Sequence, residues 1–393
     1  MKIKFLVGNK KISNKASDPF GKKECKFLND ISLVLDSLKN INEYPDLKTV
    51  AFWSRKKNIE NLKNGLLDKN IRIGIGKLFH ITPSNVPTNF FYSLAIGLLT
   101  GNSNIVKVPS NNFMQIKLIC SAIKIAIKKN PFFKKRISII QYDSSYNEIT
   151  REISKNCNGR LLWGSDKSIE EIKNMPCKTK SIDVIFPDRY SFSLLNANKI
   201  NKISEKNIII LAKKFYVDTF FYDQNACTSP HLVLWVGDKK SITHAKNKFW
   251  RNVLKEVKLK FDLTNHITSE KLNHIYNLIA QHENLGKLKN YENLVHIFDN
   301  TKLRQNIDNL RGKWGIFFEN NIKDLSEINK FVNEKYQTLT YFGFEKKYFE
   351  NFINKMKPIG IDRIVPIGRS MEMNFFWDGY DLKNCLTRAI EIK

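Results

Sequence analysis

The chain has 393 residues, of which 42% are hydrophobic and 12% aromatic, so it contains ample material for a large buried core. Intrinsic disorder is excluded, because disordered chains lack this apolar content. The formal net charge of +27 is compatible with nucleic acid, anionic lipid or an acidic partner, and equally with a Lys-, Asn- and Ile-rich composition. The densest basic run, residues 124–136, fits a phosphate-binding patch or a solvated helix end.

Membrane insertion, secretion and metal binding find no support in the sequence. The longest apolar stretch, Phe90 to Leu99, is about half the roughly 18–20 residues that span a bilayer. The first ten residues carry lysines but no apolar run typical of a secretory signal. Six cysteines show neither disulfide nor metal-ligand spacing. We therefore expect a soluble, cytoplasmic protein without a metal site.

Strands and helices are predicted to alternate through the first half of the chain. The apolar alternation from Ile71 to Ile81 predicts a strand, and a turn then leads into a helix from Thr88 to Leu99. Further strands are predicted at 104–108, 136–141 and 160–163, and helices at 114–128, 146–155 and from 166 onward. This order is typical of βαβ units, which form a parallel sheet that binds ligands at the carboxyl ends of its strands.

A second α/β region is predicted from Ser191 onward. Its strands are expected at 191–195 and 231–236 and its helices at about 202–215 and 241–257, with further alternation to residue 343. We divide the chain into an α/β lead-in (1–70), a parallel-sheet domain (71–210), a second α/β domain (211–359) and a C-terminal segment (360–393). The last segment is expected to pack back on the others or to lie at a subunit contact.

Three segments at predicted strand ends offer groups for anionic ligands. The turn Thr82-Pro83-Ser84-Asn85 precedes a helix, whose backbone N–H groups and dipole favour phosphate, and Asn85 adds an amide donor. Lys107 near the end of a buried strand suits an anionic oxygen, unless its stem carries the charge to the surface. Gly164-Ser165 forms a second strand-to-helix turn. Each is also compatible with ordinary turn chemistry, and no Gly-x-Gly-x-x-Gly occurs in the required context.

Cys227 lies in the polar segment Asp223 to Pro230 between apolar elements, whereas Cys120 lies within an apolar helix. A cysteine in a polar loop can ionise and attack a carbonyl, although a loop cysteine can also be structural. His231 follows four residues later and is as compatible with a solvent-facing strand position as with a catalytic relay.

Taken in order, TPSNVP, GNSNIVKVPS, WGS and QNACTSP resemble the aldehyde dehydrogenase superfamily. Together with the tail DRIVPIGRSMEMNFFWDGYDLKNCLTR, the pattern is most similar to the acyl-CoA reductase (LuxC-type fatty acid reductase) family, from about residue 70 to the C-terminus. The resemblance implies an aldehyde dehydrogenase-like α/β fold. Residues 71–210 would be an NADP-binding Rossmann-like domain, 211–359 the catalytic domain carrying the Cys loop, and the C-terminal segment would serve oligomerisation.

The resemblance also implies roles for individual residues. The cysteine matching Cys227 is the superfamily's nucleophile, so Cys227 would become a thioester. Asn85 matches the oxyanion-hole asparagine and would donate, with the Cys227 backbone N–H, to the acyl oxygen. A nicotinamide dinucleotide would be contacted by the strand-end turns, namely Thr82, Pro83, Ser84, Lys107, Ser110, Gly164 and Ser165.

Two departures from the wider superfamily refine the expected reaction. Ser110 stands where NAD-preferring relatives carry a Glu that would repel a 2′-phosphate, which favours NADPH. Hydrolytic members carry a water-activating Glu before Gly-Gly-Lys, whereas residues 185–191 here contain neither a Glu nor Gly-Gly. Asp188 is the acid in this stretch, and we do not assign it as a base. The departure favours acyl reduction, because hydride delivery to an acyl-cysteine needs no water.

The expected reaction is therefore NADPH-dependent reduction of an activated fatty acyl group to an aldehyde. The acyl donor would be acyl-CoA, an acyl carrier or an acyl-protein synthetase, and residues 363–388 are expected at a homo-oligomer contact. The alternatives are reduction of another donor such as an acyl phosphate, an inactive scaffold, which Cys227 and Asn85 argue against, and a nucleic-acid-binding protein. The last lacks zinc-ligand spacing and RNP-like segments.

Overall fold

The computed structural model describes residues 3–66, 70–299, 303 and 305–393. Up to residue 188 the elements are β1 (Lys4–Val7), α1 (Lys22–Asp36), α2 (Pro45–Trp53), α3 (Lys56–Asn64), β2 (Ile71–Gly74), β3 (Lys77–Ile81), α4 (Asn89–Leu99), β4 (Ser103–Lys107), α5 (Met114–Lys129), β5 (Ile137–Gln141), α6 (Asn147–Lys155), β6 (Gly159–Trp163), α7 (Asp166–Lys173) and β7 (Ile182–Phe186). From residue 189 to 372 they are β8 (Tyr190–Asn196), α8 (Ala197–Lys202), α9 (Glu205–Thr219), β9 (Pro230–Val236), α10 (Lys239–Lys260), α11 (Asn265–Gln281), β10 (Lys287–Tyr291), β11 (Val295–Asp299), β12 (Ile316–Ile322), α12 (Ser326–Asn329), β13 (Tyr336–Phe342), α13 (Lys346–Met356) and β14 (Arg363–Pro366). The chain ends with β15 (Phe376–Trp377), β16 (Tyr380–Asp381), α14 (Leu382–Cys385) and β17 (Thr387–Ile390).

The chain divides into two compact units, which differ in extent from the domains drawn from sequence. The first unit comprises residues 1–188 and 373–393, and the second comprises residues 189–372. Residue 210, the sequence-based boundary, falls inside α9, because Leu211 and Phe215 of that helix pack in the core of the second unit. The last 21 residues belong to the first unit, where β17 pairs with β2 and Trp377 is buried.

The first unit is built on a six-stranded sheet in the order β1-β5-β4-β3-β6-β7, in which all neighbours except β1 and β5 are parallel. Helices α1, α4 and α5 pack on one face, through a core that includes Leu28, Leu94 and Ile123. Helices α6 and α7 cover the other face through Ile149 and Ile169. Both faces are therefore buried, as the predicted βαβ pattern requires.

The strand predicted from Ile71 to Ile81 is two strands in different sheets. β2 pairs with β17, while β3 lies at the centre of the six-stranded sheet. The chain changes direction between them at Gly76, whose φ of 124° is a conformation that other residues rarely adopt. The alternation of apolar residues continues across this break, which is why the pattern alone predicts a single strand.

The second unit contains a seven-stranded sheet in the order β10-β11-β12-β9-β8-β13-β14, with β10 as its antiparallel edge. Successive residues of β9 alternate between its faces. Leu232 and Leu234 pack with helices α11 to α13, and Val233 and Trp235 pack with helices α8 to α10. This unit is thus a second α/β layer structure with its own two-sided core.

Candidate active site

The carboxyl ends of the parallel strands in the first unit bring the predicted cofactor-binding turns to one edge of the sheet. The chain runs from β3 outward to β4 and β5, and then returns to β6 on the opposite side of β3. Open α/β sheets bind ligands at such a reversal of strand order. The turn Thr82–Asn85 follows β3 and the turn Gly164–Ser165 follows β6, so these two segments flank the reversal.

Thr82 ties the turn after β3 to the end of β4. Its backbone N–H and its hydroxyl both donate to the Lys107 carbonyl oxygen, at 3.2 and 2.8 Å. Pro83 is partly buried and Ser84 is exposed. The Thr82 hydroxyl proton is therefore engaged in a hydrogen bond to the backbone. The exposed hydroxyl of this turn belongs to Ser84.

Lys107 and Ser110 lie on the segment that leaves β4. The Lys107 ammonium is 4.7 Å from the centroid of the Tyr142 ring. Burial lowers the Lys107 pKa, although the negative charge of Asp143 opposes this shift. Ser110 is exposed, with its Oγ 3.4 Å from the Tyr142 carbonyl oxygen. A partly desolvated cation gains from an anionic oxygen, so this segment suits a phosphate or ribose hydroxyl.

Gly164 and Ser165 form the turn between β6 and α7. The Ser165 side chain caps α7 by accepting from the Ser168 N–H, and its Oγ lies 3.0 Å from the Ser168 Oγ. A Cβ at Gly164 would lie 3.7 Å or more from neighbouring atoms outside its chain neighbours, and the Gly164 φ angle is not positive. Packing within the protein therefore does not demand glycine here. A glycine that packing does not require is compatible with the close approach of a ligand.

Asn85 is exposed in the turn ahead of α4, the eleven-residue helix that begins at Asn89. It belongs to the first unit, whereas Cys227 belongs to the second. The joint oxyanion role of these two residues stays a prediction.

His80 at the head of the TPSNVP segment is a structural residue. Its ring is completely buried, with Nδ1 2.8 Å from the Ser93 Oγ and Nε2 2.9 Å from the Asn104 Oδ1. Trp163 Nε1 donates to the same Ser93 oxygen at 3.3 Å. Burial lowers the His80 pKa to about 4, so the ring is neutral at pH 7. This network joins β3, β4 and β6 with α4 beneath the edge that carries the predicted cofactor-binding turns.

Cys227 lies in the loop that enters β9 of the second unit, at the amino edge of that sheet. Cys227 is half-buried, so it is not sealed within the core. Asp223 and Gln224 both adopt left-handed conformations, with φ of 53° and 64°, which are uncommon for residues other than glycine. The segment is therefore held away from its relaxed backbone conformation by its surroundings.

The buried side chain of Gln224 supplies that restraint. Its Nε2 donates to the carbonyl oxygens of Pro230 and Ile316, each at 3.0 Å, and its Oε1 accepts from the Gly315 N–H at 3.2 Å. One amide thus joins the two ends of the Cys loop to the start of β12. Gln224 lies within the QNACTSP motif, and the sequence alone predicts no role for it.

Ser191 and Gln337 contact Cys227 directly from neighbouring strands. The Ser191 hydroxyl donates to the Cys227 carbonyl oxygen at 2.7 Å, and the Gln337 Nε2 donates to the Cys227 Sγ at 3.6 Å. Neither residue was a candidate from sequence, because each lies in a strand remote from Cys227 along the chain. The sulfur and the carbonyl of the candidate nucleophile are therefore both held by polar side chains.

The pairing of β8 with its two neighbours, β13 and β9, is irregular next to Ser191. One extra residue lies in β13 between Tyr336 and Leu339, and one in β9 between Pro230 and Leu232. β-Bulges redirect side chains and occur beside active sites. Here the bulge in β13 contains Gln337, and the Thr338 N–H that it displaces donates to the Ser191 Oγ at 3.3 Å.

Thr228 connects the Cys loop to the segment after β14. Its hydroxyl donates to the Met371 Sδ at 3.2 Å. That segment is anchored by the buried Asp218 of α9, whose carboxylate accepts from the backbone N–H groups of Gly368 and Ser370 and from the Ser370 hydroxyl. Desolvation raises the Asp218 pKa to about 6, although these hydrogen bonds oppose the shift. Asp218 therefore holds the segment that contacts Thr228, the residue after Cys227.

His231 is a core residue, contrary to the solvent-facing alternative drawn from sequence. Its Nδ1 accepts from the Gly312 N–H at 3.2 Å, and its ring stacks on Tyr190 with the centroids 5.5 Å apart. Burial, together with the charge of Arg311, lowers its pKa to about 3. A neutral imidazole that already accepts a backbone hydrogen bond cannot serve as the base for Cys227.

Comparison with known proteins places this chain in a family. The sequence model described as "Acyl-CoA reductase (LuxC)" matches residues 50–303. The chain belongs to this family. It is 24% identical over 303 residues to a long-chain acyl-protein thioester reductase of Vibrio harveyi, an alignment that covers 75% of this chain and 58% of the relative. A protein of the same name from Aliivibrio fischeri is 25% identical over 42% of this chain and 32% of its own length. The chain thus spans little more than half of the first relative and about a third of the second.

Solved structures share the fold of this acyl-CoA reductase family member. The aldehyde dehydrogenase KauB from Pseudomonas aeruginosa superimposes with a TM-score of 0.66 at 13% identity, covering 94% of this chain and 83% of that one. A 1-pyrroline-5-carboxylate dehydrogenase from Thermus, solved with bound NAD, gives a TM-score of 0.62 at 11% identity over 94% and 80%. The aldehyde dehydrogenase-like α/β fold expected from sequence is confirmed.

The described residues contain neither a metal-ligand cluster nor a membrane-spanning helix. Within the described ranges, no three His, Cys, Asp or Glu side chains cluster as metal ligands would. Among the helices in the same part of the chain, none is long and apolar enough to cross a membrane.

The basic run at residues 124–136 lies away from the predicted cofactor-binding turns. Lys128 and Lys129 end α5, and Lys134 and Lys135 precede β5, so they lie at the amino edge of the first sheet. Arg136 is buried, where it donates to the Gly101 carbonyl oxygen at 2.7 Å and pairs with Glu24. The run is thus a set of exposed lysines at the opposite edge, with one structural arginine.

Proposed function

We propose that this protein reduces an activated fatty acyl thioester to the aldehyde with NADPH, through a thioester on Cys227. The observation that carries the proposal is the setting of Cys227, a partly exposed thiol on a restrained loop in a member of the acyl-CoA reductase family. The names of its relatives, long-chain acyl-protein thioester reductases, support a fatty acyl thioester as the substrate.

In this proposal the Cys227 thiolate attacks the acyl carbonyl carbon. A bond forms between that carbon and Sγ, and the bond from the carbon to the donor's sulfur breaks, so that the donor leaves with the electron pair and takes up a proton. Bound NADPH supplies the hydride that reduces the resulting thioester. Collapse of the reduced adduct breaks the bond to Sγ, returns the electron pair to Cys227 and releases the aldehyde.

Reduction rather than hydrolysis is supported by the segment that joins β7 to β8. Residues 185–191 carry no Glu and no Gly-Gly-Lys, the features that activate water in hydrolytic members of the wider superfamily. A thioester that meets no activated water persists until hydride arrives. The proposed product is therefore the aldehyde and not the acid.

We assign the dinucleotide to the edge of the first sheet that carries Thr82, Pro83, Ser84, Lys107, Ser110, Gly164 and Ser165. Lys107 would meet a phosphate or ribose oxygen, and Gly164 would leave room for the backbone of the dinucleotide. Ser110 places no carboxylate where a 2′-phosphate would lie, which supports NADPH over NADH. Replacing Ser110 with Glu is expected to lower the ratio of kcat/KM for NADPH to that for NADH at least tenfold.

Asn85 and the Cys227 backbone N–H are proposed to donate to the acyl oxygen as its negative charge develops. Removing one such donor typically raises the barrier by about 2.7–4 kcal/mol. We therefore expect Asn85→Ala to lower kcat by about 100- to 1,000-fold, with KM for the acyl donor changing far less.

The proposed function is tested by NADPH oxidation with acyl-CoA donors of graded chain length and with acyl-protein thioesters, trapping the aldehyde. Cys227→Ala should abolish acyl-dependent oxidation and preserve NADPH binding, while Cys177→Ala, which removes another exposed thiol, should remain active. Full activity of Cys227→Ala would overturn the mechanism. Activity with an acyl phosphate but not with thioesters would overturn the donor class. Sedimentation of the same samples would test the proposed homo-oligomer.

A further inference from the structure

Gln337 is placed to act on the reacting sulfur. Its Nε2 lies 3.6 Å from the Cys227 Sγ, a normal donor distance for sulfur, and its side chain is fully buried although the thiol is partly exposed. A buried amide has little freedom to move away, so this contact is a fixed property of the site.

Both ends of the Gln337 amide have a partner. Its Oε1 accepts from the Thr338 hydroxyl at 3.3 Å, and its NH₂ group faces Cys227. The bulge in β13 places both residues opposite Ser191, which itself binds the Cys227 carbonyl oxygen. The backbone and the side chain of Cys227 are thus held by one irregular stretch of the sheet.

A neutral amide donor can stabilise a sulfur that carries a negative charge twice during one turnover. The sulfur is an anion before it attacks the acyl carbon, and it becomes an anion again when the reduced adduct collapses. An N–H donor favours the anion without exchanging a proton. A general base is not supplied by His231, whose ring is buried and accepts from Gly312.

We infer that Gln337 is a catalytic residue that stabilises the Cys227 thiolate through the hydrogen bond from its Nε2. This inference rests on the proposed function for its role in turnover, but the stabilised thiolate itself exists without substrate. The side chains that bond the Cys loop include the neutral Ser191, Gln224 and Thr228, and Asp218 binds the segment that carries Met371. The titratable group within the loop segment is Asp223, whose pKa is raised by burial.

The experiment measures the alkylation of Cys227 by iodoacetamide from pH 5 to 10, followed by peptide mass spectrometry to separate it from the other cysteines. Gln337→Leu should raise the pH midpoint by about one unit, equivalent to a tenfold loss of thiolate below the midpoint. Gln337→Glu should raise it further, because a carboxylate repels the thiolate. Ser193→Ala, which removes a buried hydroxyl from β8 that bonds Thr340 instead, should leave the midpoint unchanged.

An unchanged midpoint in Gln337→Leu would overturn the inference. If that variant does not fold, Gln337→Met decides, since it keeps a side chain of similar length without the N–H donor and should raise the midpoint by about one unit, whereas no shift would overturn the inference. Alkylation requires no acyl donor. A raised midpoint in an enzyme that reduces no thioester would therefore refute the proposed function alone, and an unchanged midpoint in an active reductase would refute the role of Gln337 alone.

Discussion

The Ser191 hydroxyl donates to the Cys227 carbonyl oxygen at 2.7 Å and accepts from the Thr338 N–H at 3.3 Å. It therefore satisfies a carbonyl in the Cys loop and a backbone donor that the bulge in β13 removes from the ladder. Both are polar groups whose unpaired burial would cost about 1–3 kcal/mol. A single hydroxyl thus couples the position of the nucleophile to the irregular start of β13.

We expect Ser191→Ala to lower kcat for the proposed acyl reduction by about tenfold or more, because the Cys loop loses its tie to β8. The free energy of unfolding should fall by about 1–3 kcal/mol. Steady-state kinetics and urea unfolding measure the two effects.

Ser193→Ala is the matched control for Ser191. Ser193 lies two residues along the same strand and is equally buried, but its hydroxyl pairs with the Thr340 hydroxyl at 2.7 Å. It should lose stability of the same order and keep its kcat. Equal losses of kcat in both variants would show that Ser191 acts through general stability.

We expect the buried Gln224 side chain to restrain the Cys loop, although it has no role in the proposed reaction. Gln224→Leu keeps the volume but leaves the carbonyls of Pro230 and Ile316 and the Gly315 N–H without their partner, while the left-handed backbone at Asp223 and Gln224 stays strained. We expect faster proteolysis within residues 222–230 and a loss of acyl-dependent activity. Limited proteolysis with fragment mass analysis checks the site of cleavage. Cleavage rates equal to those of the wild type would contradict the restraint.

The sequence predicts the fold well because the pattern that encodes it is local. Predicted strand and helix limits such as 104–108 and 114–128 lie within a residue of Ser103–Lys107 and Met114–Lys129. The apolar period and the flanking turn residues are sufficient to define such elements. The break at Gly76 could not be predicted in this way, because the apolar alternation persists across it.

The partners of Cys227 could not be predicted in the same way. Gln337 is 110 residues away and Ser191 is 36 residues away along the chain, and both reach Cys227 only because β13, β8 and β9 are adjacent in the sheet. Gln337 lies in the bulge of β13 and Ser191 lies opposite it, and the position of a bulge depends on strand pairing, which no turn residue in the sequence indicates. The motif predicts the nucleophilic thiol, whereas its partners Gln337 and Ser191 follow from the order of the strands in the sheet.

Asp218 should make stability fall as the pH rises from about 4 to about 6. Burial raises its pKa from 3.8 to about 6, so the folded protein binds a proton in that range that the unfolded chain has released. Linkage then converts the shift into a loss of about 3 kcal/mol that is complete above about pH 6. Asp218→Asn removes this titration, so the difference in unfolding free energy between wild type and variant should change by that amount across the window.

The measurement is urea unfolding of both proteins at half-unit steps from pH 4 to 8. The Asn variant keeps an oxygen that can accept from Ser370, but its NH₂ group opposes a backbone donor, so the absolute stabilities will differ at every pH. The slope of the difference is therefore the diagnostic quantity. A difference that is flat between pH 4 and 6 would show that Asp218 is already ionised throughout that range.

The lysines at the amino edge of the first sheet are expected to play no part in cofactor binding. Lys128 and Lys129 end α5, whereas Lys107 ends β4 at the carboxyl edge. Exposed charges farther apart than the Debye length, about 8 Å at physiological salt, are largely screened from each other. Lys128→Glu/Lys129→Glu should therefore change KM for NADPH less than twofold at 0.15 M salt, whereas Lys107→Met should raise it at least tenfold. A large rise in the double variant would show that the net charge of +27 contributes to cofactor capture.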